Sequence, residues 1–205
     1  NHFRPVDGQR RKSGRGGRDL SKGKLFVISG ASGVGKSTVL KRVMQLRKDL
    51  QFSVSATTRH PRPSETDGIE YYFVTHEKFQ SMIAQDEFIE YDDHMDNYYG
   101  TPVGQLEEKL LSGSVILDIE PVGAFNVYAK RPDAVLIFIA PPSMEELEQR
   151  LRGRGDTSEE QMRIRLERAK WEMEQSKRYH YVVTNEQVET CAEQILHIIA
   201  EQADK

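Results

Sequence analysis

Residues 30–37 read Gly-Ala-Ser-Gly-Val-Gly-Lys-Ser, which satisfies G-x-x-x-x-G-K-[ST] at every fixed position. The residue types say what such a stretch can do. Glycines let successive backbone N–H groups turn inward around phosphate oxygens. A helix that starts on the loop adds the partial positive charge of its N-terminus. Lys36 brings a full charge to the outer phosphates of a nucleoside triphosphate, and the Ser37 hydroxyl can ligate Mg²⁺. The seat for the triphosphate is therefore Gly30, Ala31, Ser32, Gly33, Val34, Gly35, Lys36, Ser37 and Thr38. A second oxygen ligand for the ion is expected at Asp118, near the end of the apolar run Ser-Val-Ile-Leu-Asp-Ile at 114–119, with Glu120 next to it. A carboxylate in such a run is costly unless it is paired or bound to a metal, which favours a functional role.

A second constellation lies at 55–65, Ser-Ala-Thr-Thr-Arg-His-Pro-Arg-Pro-Ser-Glu. Arg59 and Arg62 stand three apart in a proline-stiffened loop, and paired guanidinium forks suit a phosphate dianion. Tyr71 follows, and Asn97-Tyr98-Tyr99-Gly100-Thr101 adds hydroxyls. Glu90 has the chemistry to accept from a purine's ring N–H and amino group together.

These residues need a scaffold, and the apolar pattern supplies one. Continuous apolar runs at 24–29, 114–119, 134–140 and 179–184 are not amphipathic, so both faces should be buried, as in a parallel sheet covered by helices. Helical spacing follows the glycine loop over 36–48 and recurs over 187–202, where Cys191 falls on the apolar side as a core residue rather than a nucleophile. Capping-box spacing at Ser143/Glu146 and at Thr157/Glu160 opens two more helices. Arg163 and Arg168 in the second of these read as an ordinary solvated face. The polar stretch 55–100, with short half-exposed strands at 71–74 and 88–91, reads as an insertion carrying its own binding surface.

The chain's 205 residues, 37% hydrophobic and 30% charged, fit one globular domain. No apolar run approaches the length of a spanning helix, and no secretory signal stands at the N-terminus. A single cysteine excludes an intrachain disulfide and suits a reducing compartment, so a cytoplasmic location is expected. Residues 1–24 hold eight Lys/Arg against two Asp. With no aromatic stacking pattern beside the charge, residues 1–22 are read as a basic flexible leader rather than as a grip on nucleic acid.

From about residue 22 onward the chain resembles the guanylate kinase family. The resemblance rests on the phosphate loop, on S-A-T-T-R-x-P-R-x-x-E at 55–65, Y-Y-F-V at 71–74, N-Y-Y-G-T at 97–101 and L-R-G-R-G at 151–155. It implies an α/β fold: a P-loop kinase core with a parallel sheet covered by helices (23–54, 106–144 and 180–203), an inserted mixed α/β GMP-binding sub-domain (55–105) and a helical lid (145–179). It also implies transfer of the γ-phosphoryl group of ATP to GMP, and to dGMP, with Mg²⁺. Arg59, Arg62, Tyr71 and Tyr99 then look like the clamp on the GMP phosphate, with Glu65 supporting the loop. Ser55, Glu90, Gly100, Thr101 and Glu120 look like the guanine side. Arg150, Arg154 and Arg165 resemble lid arginines that act with Lys36 and Arg59 on the transferring group, and Asn185 resembles the adenine-side loop. The pattern departs at 118–123, Asp-Ile-Glu-Pro-Val-Gly, where the family usually carries Asp-x-Asp, a bulky residue, Gln and Gly. Two other readings share these motifs: a guanylate-kinase-like interaction module without catalysis, and a P-loop kinase for another phosphorylated acceptor.

Overall fold

The computed structural model describes residues 23–94, 96–155, 157–203 and 205; the expected leader at 1–22 lies outside the described residues. Five strands form an all-parallel sheet: β1 (Leu25–Gly30), β2 (Gln51–Phe52), β7 (Val115–Asp118), β8 (Val135–Ala140) and β9 (Tyr181–Thr184), in the order β2-β7-β1-β8-β9. Every residue of β1 and β8 is buried, as their unbroken apolar runs require. β1 lies between β7 and β8, so Ile28 pairs with Asp118 and Gly30 with Ile139. This register brings the exit of β1, where the glycine loop begins, beside the carboxylate that ends β7. Crevices at the C-terminal ends of parallel strands are where such sheets bind ligands.

β9 departs from the expectation of two buried faces. It is the edge strand, with Val182 exposed and Tyr181 half-buried, because among the described residues no further strand pairs with its outer side. Helix α1 (Lys36–Leu46) stops two residues before the expected end, at Arg47, whose backbone is extended. Ser143 caps α5 (Met144–Arg152), its hydroxyl accepting from the Glu146 N–H. Ser158, not Thr157, caps α6 (Glu159–Gln175), accepting from the Gln161 N–H. Two overlapping capping boxes compete there, Thr157/Glu160 and Ser158/Gln161, and serine is the better cap. α7 (Val188–Ala203) packs on α1 through a buried face that includes Cys191, Ile195 and Ile199, and Arg42 makes a two-pronged ion pair with Glu189 across the same junction.

Residues 56–102 build the second sheet, β4-β3-β6-β5, from β3 (Ala56–Thr57), β4 (Tyr72–Phe73), β5 (Phe88–His94) and β6 (Asn97–Pro102). β3 and β4 run parallel and the remaining pairs antiparallel. β5 runs on to His94, three residues beyond the expected strand, because past a register shift at Phe88/Glu90 it stays paired to β6 through to His94 and Asn97. Helix α2 (His76–Ala84) covers this sheet and drives Phe79 between Phe88 and Tyr98, at ring distances of 4.5 and 5.2 Å. A side chain at Gly100 would put its Cβ 2.7 Å from the Phe88 ring, so this small core dictates that glycine. α3 (Val103–Ser112) leads back to the main sheet, and α4 (Pro121–Lys130) packs against β5, joining the two layers beside the crevice. Among the described residues no helix is long and apolar enough to cross a membrane.

Candidate functional site

The glycine loop leaves the buried strand β1 and turns back at once, with the Val34 N–H donating to the Ala31 carbonyl. Gly33 and Gly35 hold φ of +82° and +86°, a region that side chains avoid. At Gly33 the packing forbids one too, since a Cβ would stand 2.6 Å from Leu151 of α5. α1 then starts at Lys36 with no side-chain cap and no acidic residue in its first turn. Its free N–H groups and its dipole are therefore left to an anion. The Asn185 amide donates to the Val34 carbonyl at 2.8 Å, fastening the loop from the side of β9. The Lys36 ammonium forms an ion pair with Asp118. Ser37 and Thr38 are exposed at the start of α1.

Across the crevice, Glu90 on β5 is only 9% exposed. Its Oε1 accepts from the Thr101 hydroxyl at 2.8 Å, and burial raises its carboxyl above the ordinary carboxylate range. Gly123 at the head of α4 lies close enough that a Cβ there would be 3.0 Å from Glu90 Oε2. Arg59 and Glu65 form a fork-to-fork pair with two bonds of 2.9 Å, and Glu65 also accepts the Arg62 N–H at 2.8 Å. These donors hold the Glu65 carboxyl down at about 2 and push the Arg59 guanidinium up. Arg59 lies over the Tyr71 ring at 5.3 Å, and Tyr71 meets Tyr99 edge-on at 5.9 Å.

A cavity of about 410 Å³ joins the two sides. Lys36, Ser37 and Asp118 line one wall; Ser55, Tyr71, Glu90, Tyr99 and Gly100 line the other, with Glu120 and Gly123 between. The expected site residues thus fall into three groups. Those just named share the cavity. Thr101 is fully buried behind Glu90, and Arg59 and Glu65 stand behind Tyr71. Arg150 and Asn185 stand together beside the phosphate loop, which Asn185 holds at Val34, and Arg154 and Arg165 are not among the residues that line the cavity. Arg150 donates to the Asn185 carbonyl at 3.2 Å and to Glu146 at 3.0 Å. Arg62, Arg154 and Arg165 are exposed, and among the described residues their guanidinium groups make no ion pair.

Three residues near the site were not expected there from the sequence. Asp92 lines the cavity from β5. Glu172 of α6 is only 5% exposed, and its Oε1 accepts the Ser32 N–H of the glycine loop at 3.1 Å. Arg168 breaks the expected solvated face: it pairs with Glu120 at 3.2 Å, stacks on Trp171 at 4.5 Å and lies 3.9 Å from Glu172. Arg163 does keep to that face, between Glu160 and Glu167. The available signal for Glu172 was its place on α6: it shares a face with the buried Met162 and Ala169, where an apolar residue is due.

Among the described residues no cluster of three or more His, Cys, Asp or Glu could cage a metal. Magnesium does not need one, since it is held by one or two protein oxygens together with phosphate and water. Ser37 and Asp118 share the cavity wall and are such a pair.

Comparison with known proteins gives a consistent result. The family model described as guanylate kinase matches residues 22–202. A guanylate kinase of Prochlorococcus marinus is 44% identical over 177 residues, covering 86% of this chain and 96% of that protein. One from Halalkalibacterium halodurans is 43% identical over 182 residues, covering 88% and 89%. The crystal structure of guanylate kinase from Anaplasma phagocytophilum superposes with a TM-score of 0.73 at 34% identity, covering 90% of this chain and 88% of that one.

Proposed function

The chain belongs to the guanylate kinase family, and we propose that it transfers the γ-phosphoryl group of ATP to GMP, and to dGMP, giving ADP and the corresponding diphosphate. The observation that carries this reading is one cavity with Lys36, Ser37 and Asp118 on one wall and Tyr71, Tyr99 and the buried Glu90 on the other. A donor phosphate chain on the first wall and a purine monophosphate on the second would meet within it.

ATP is assigned to the loop from Gly30 to Thr38, with Asn185 on its adenine side and Arg150, which donates to the Asn185 carbonyl, counted with Arg154 and Arg165 among the lid arginines. GMP is assigned to the opposite wall. Ser55, Glu90, Gly100, Thr101 and Glu120 lie on the guanine side, and Arg59, Arg62, Tyr71 and Tyr99 hold its phosphate. Thr101 works through Glu90 by fixing the direction of the carboxylate, and Glu65 works through Arg59. The nucleophile is an oxygen of the GMP phosphate, whose second pKa is about 6, as for other phosphomonoesters, so it is mostly a dianion at neutral pH and needs no general base. Catalysis then consists of in-line positioning and charge neutralisation. Lys36 releases Asp118 to meet the outer phosphates, and Arg154 and Arg165, free of ion pairs among the described residues, supply charge as the lid closes. Ser37 and Asp118 would hold Mg²⁺, which when bound would offset charge on the phosphate oxygens. Excluding water matters because water is a competing acceptor.

On this assignment residues 23–54, 106–144 and 180–203 are the core, 55–105 the acceptor sub-domain and 145–179 the lid. A cytoplasmic location, where both nucleotides are made and used, fits the same reading. A coupled assay across GMP, dGMP, AMP, UMP and ribose phosphates tests it. Turnover of GMP and dGMP far above the rest is expected; equal turnover of AMP, or none of any acceptor, would overturn it.

A further inference from the structure

We infer that Glu172 is a positioning residue for the donor site: acting through the Ser32 amide, it sets the shape of the phosphate loop from helix α6. The inference rests on the assignment of ATP to residues 30–38.

Three observations carry it. First, Glu172 sits where the helix would bury an apolar side chain, on the face of Met162 and Ala169, and is itself 5% exposed. A buried carboxylate is costly unless it makes strong bonds, and an apolar residue of the same size would avoid that cost. Second, its one hydrogen bond among the described residues goes to the backbone N–H of Ser32, 140 positions away in the chain, at 3.1 Å. Ser32 is the residue before Gly33, where the backbone turns into its left-handed conformation. An acceptor fixed at this point holds the peptide plane, and so the direction, of the amides that follow. Third, the carboxylate is held in place from its own helix. Arg168, 3.9 Å away, is flattened on Trp171 and tied to Glu120 at the head of α4. A chain of contacts therefore runs from the acceptor side through Arg168 and Glu172 to the donor loop.

The loop cannot reach this geometry from its own sequence alone. Its glycines permit many conformations, and a flexible loop must be ordered before it can bind a phosphate chain tightly. Asn185 fixes the loop after its turn, at Val34, and Glu172 fixes it before, at Ser32. Because the second anchor belongs to the helix that also carries Arg165, the donor loop and the lid helix are mechanically joined.

The test compares Glu172→Gln with Glu172→Met, two side chains of nearly equal volume. Gln keeps an oxygen that can accept the Ser32 N–H; Met fills the space without one. The measurements are KM for ATP, the dissociation constant for GMP without ATP, and Tm. Expected for Met are an ATP KM raised about tenfold, the scale of one lost hydrogen bond to a charged group, GMP binding within twofold of the parent, and a Tm equal or higher. Expected for Gln is an ATP KM within about threefold. The inference is overturned if Met leaves the ATP KM unchanged, if Gln raises it as far as Met does, or if ATP and GMP weaken together. A Met variant that fails to fold overturns it as well, since Glu172 would then be a folding determinant. Lys36→Ala, run in parallel, separates this from the underlying assignment: wild-type turnover and ATP KM in that variant would dismiss residues 30–38 as the seat of ATP.

Discussion

Glu90→Gln isolates what a buried carboxylate contributes to choosing guanine. In the parent, Oε1 is occupied by the Thr101 hydroxyl at 2.8 Å, and the carboxylate forms part of the cavity wall. Guanine offers two adjacent donors, its ring N–H and its amino group, and an ionised carboxylate can accept both. Gln keeps one oxygen, which Thr101 claims, and turns an N–H donor toward a guanine donor. One hydrogen bond to a charged group is lost and one buried donor is left unpaired, together about 2–4 kcal/mol in kcat/KM for GMP. At 1.36 kcal/mol per factor of ten that is a loss of roughly 30- to 1,000-fold. Kinetics with GMP varied at saturating ATP, then the reverse, should put almost all of this loss on GMP. The fold should not suffer. Burial raises the Glu90 carboxyl above its ordinary value, so the folded state favours its protonated form. That contribution is present in full below the ordinary carboxylate range and is lost as pH rises through the raised value; at neutral pH the charge is a burden that Gln removes. GMP binding runs the other way: it needs the carboxylate ionised and weakens as pH falls through the raised value. This acid limb should vanish in Gln, whereas the limb from the GMP phosphate near pH 6 is common to both enzymes. Equal rises in the two KM values, or a collapse in Tm, would refute the reasoning.

Arg154→Ala should lower kcat by about two orders of magnitude, within the span of arginines that act on a transferring phosphoryl group, while GMP titrated into ATP-free enzyme binds within twofold of the parent; a hundredfold loss of GMP binding with kcat intact would move Arg154 to the acceptor site. Glu65→Gln breaks the fork to Arg59, so KM for GMP should rise. It should also flatten the acid dependence of Tm: the carboxyl is held at about 2, so its stabilisation is present above the ordinary carboxylate value and lost as pH falls through about 2. Cys191 is fully buried with its thiol pushed up to about 11, so a thiol reagent should modify it only after denaturant unfolds the chain; rapid labelling of native enzyme would place it outside the core.

The sheet was legible because its three central strands are buried on both faces over nearly their whole length and are therefore mostly apolar. β9 misled because an edge strand needs only one buried face, yet its Tyr-Val-Val-Thr carries the same residue types as a central one. α6 was legible as a helix but not as a surface. Its alternating charges look solvated, and nothing local distinguishes Arg163, which pairs along its own helix, from Arg168, which reaches Glu120, 48 positions away.

The site divides along the same line. The glycine loop could be read from sequence because its chemistry is local: the spacing of Gly30, Gly35, Lys36 and Ser37 is the geometry. The partners that fix its shape are Asn185 and Glu172, 151 and 140 positions distant in their contacts; Asn185 has no spacing to betray it, and Glu172 has only its place on the buried face of α6, which says nothing of the loop. Glu120 shows why this matters. It stands where the family usually has the shorter Asp, and taken alone that looks like a loss of fit. In the folded chain the longer side chain meets Arg168, which also flanks Glu172. The departure at 120 is therefore one end of a link to helix α6, and Glu120→Asp should break that link by withdrawing the carboxylate about one methylene from the guanidinium.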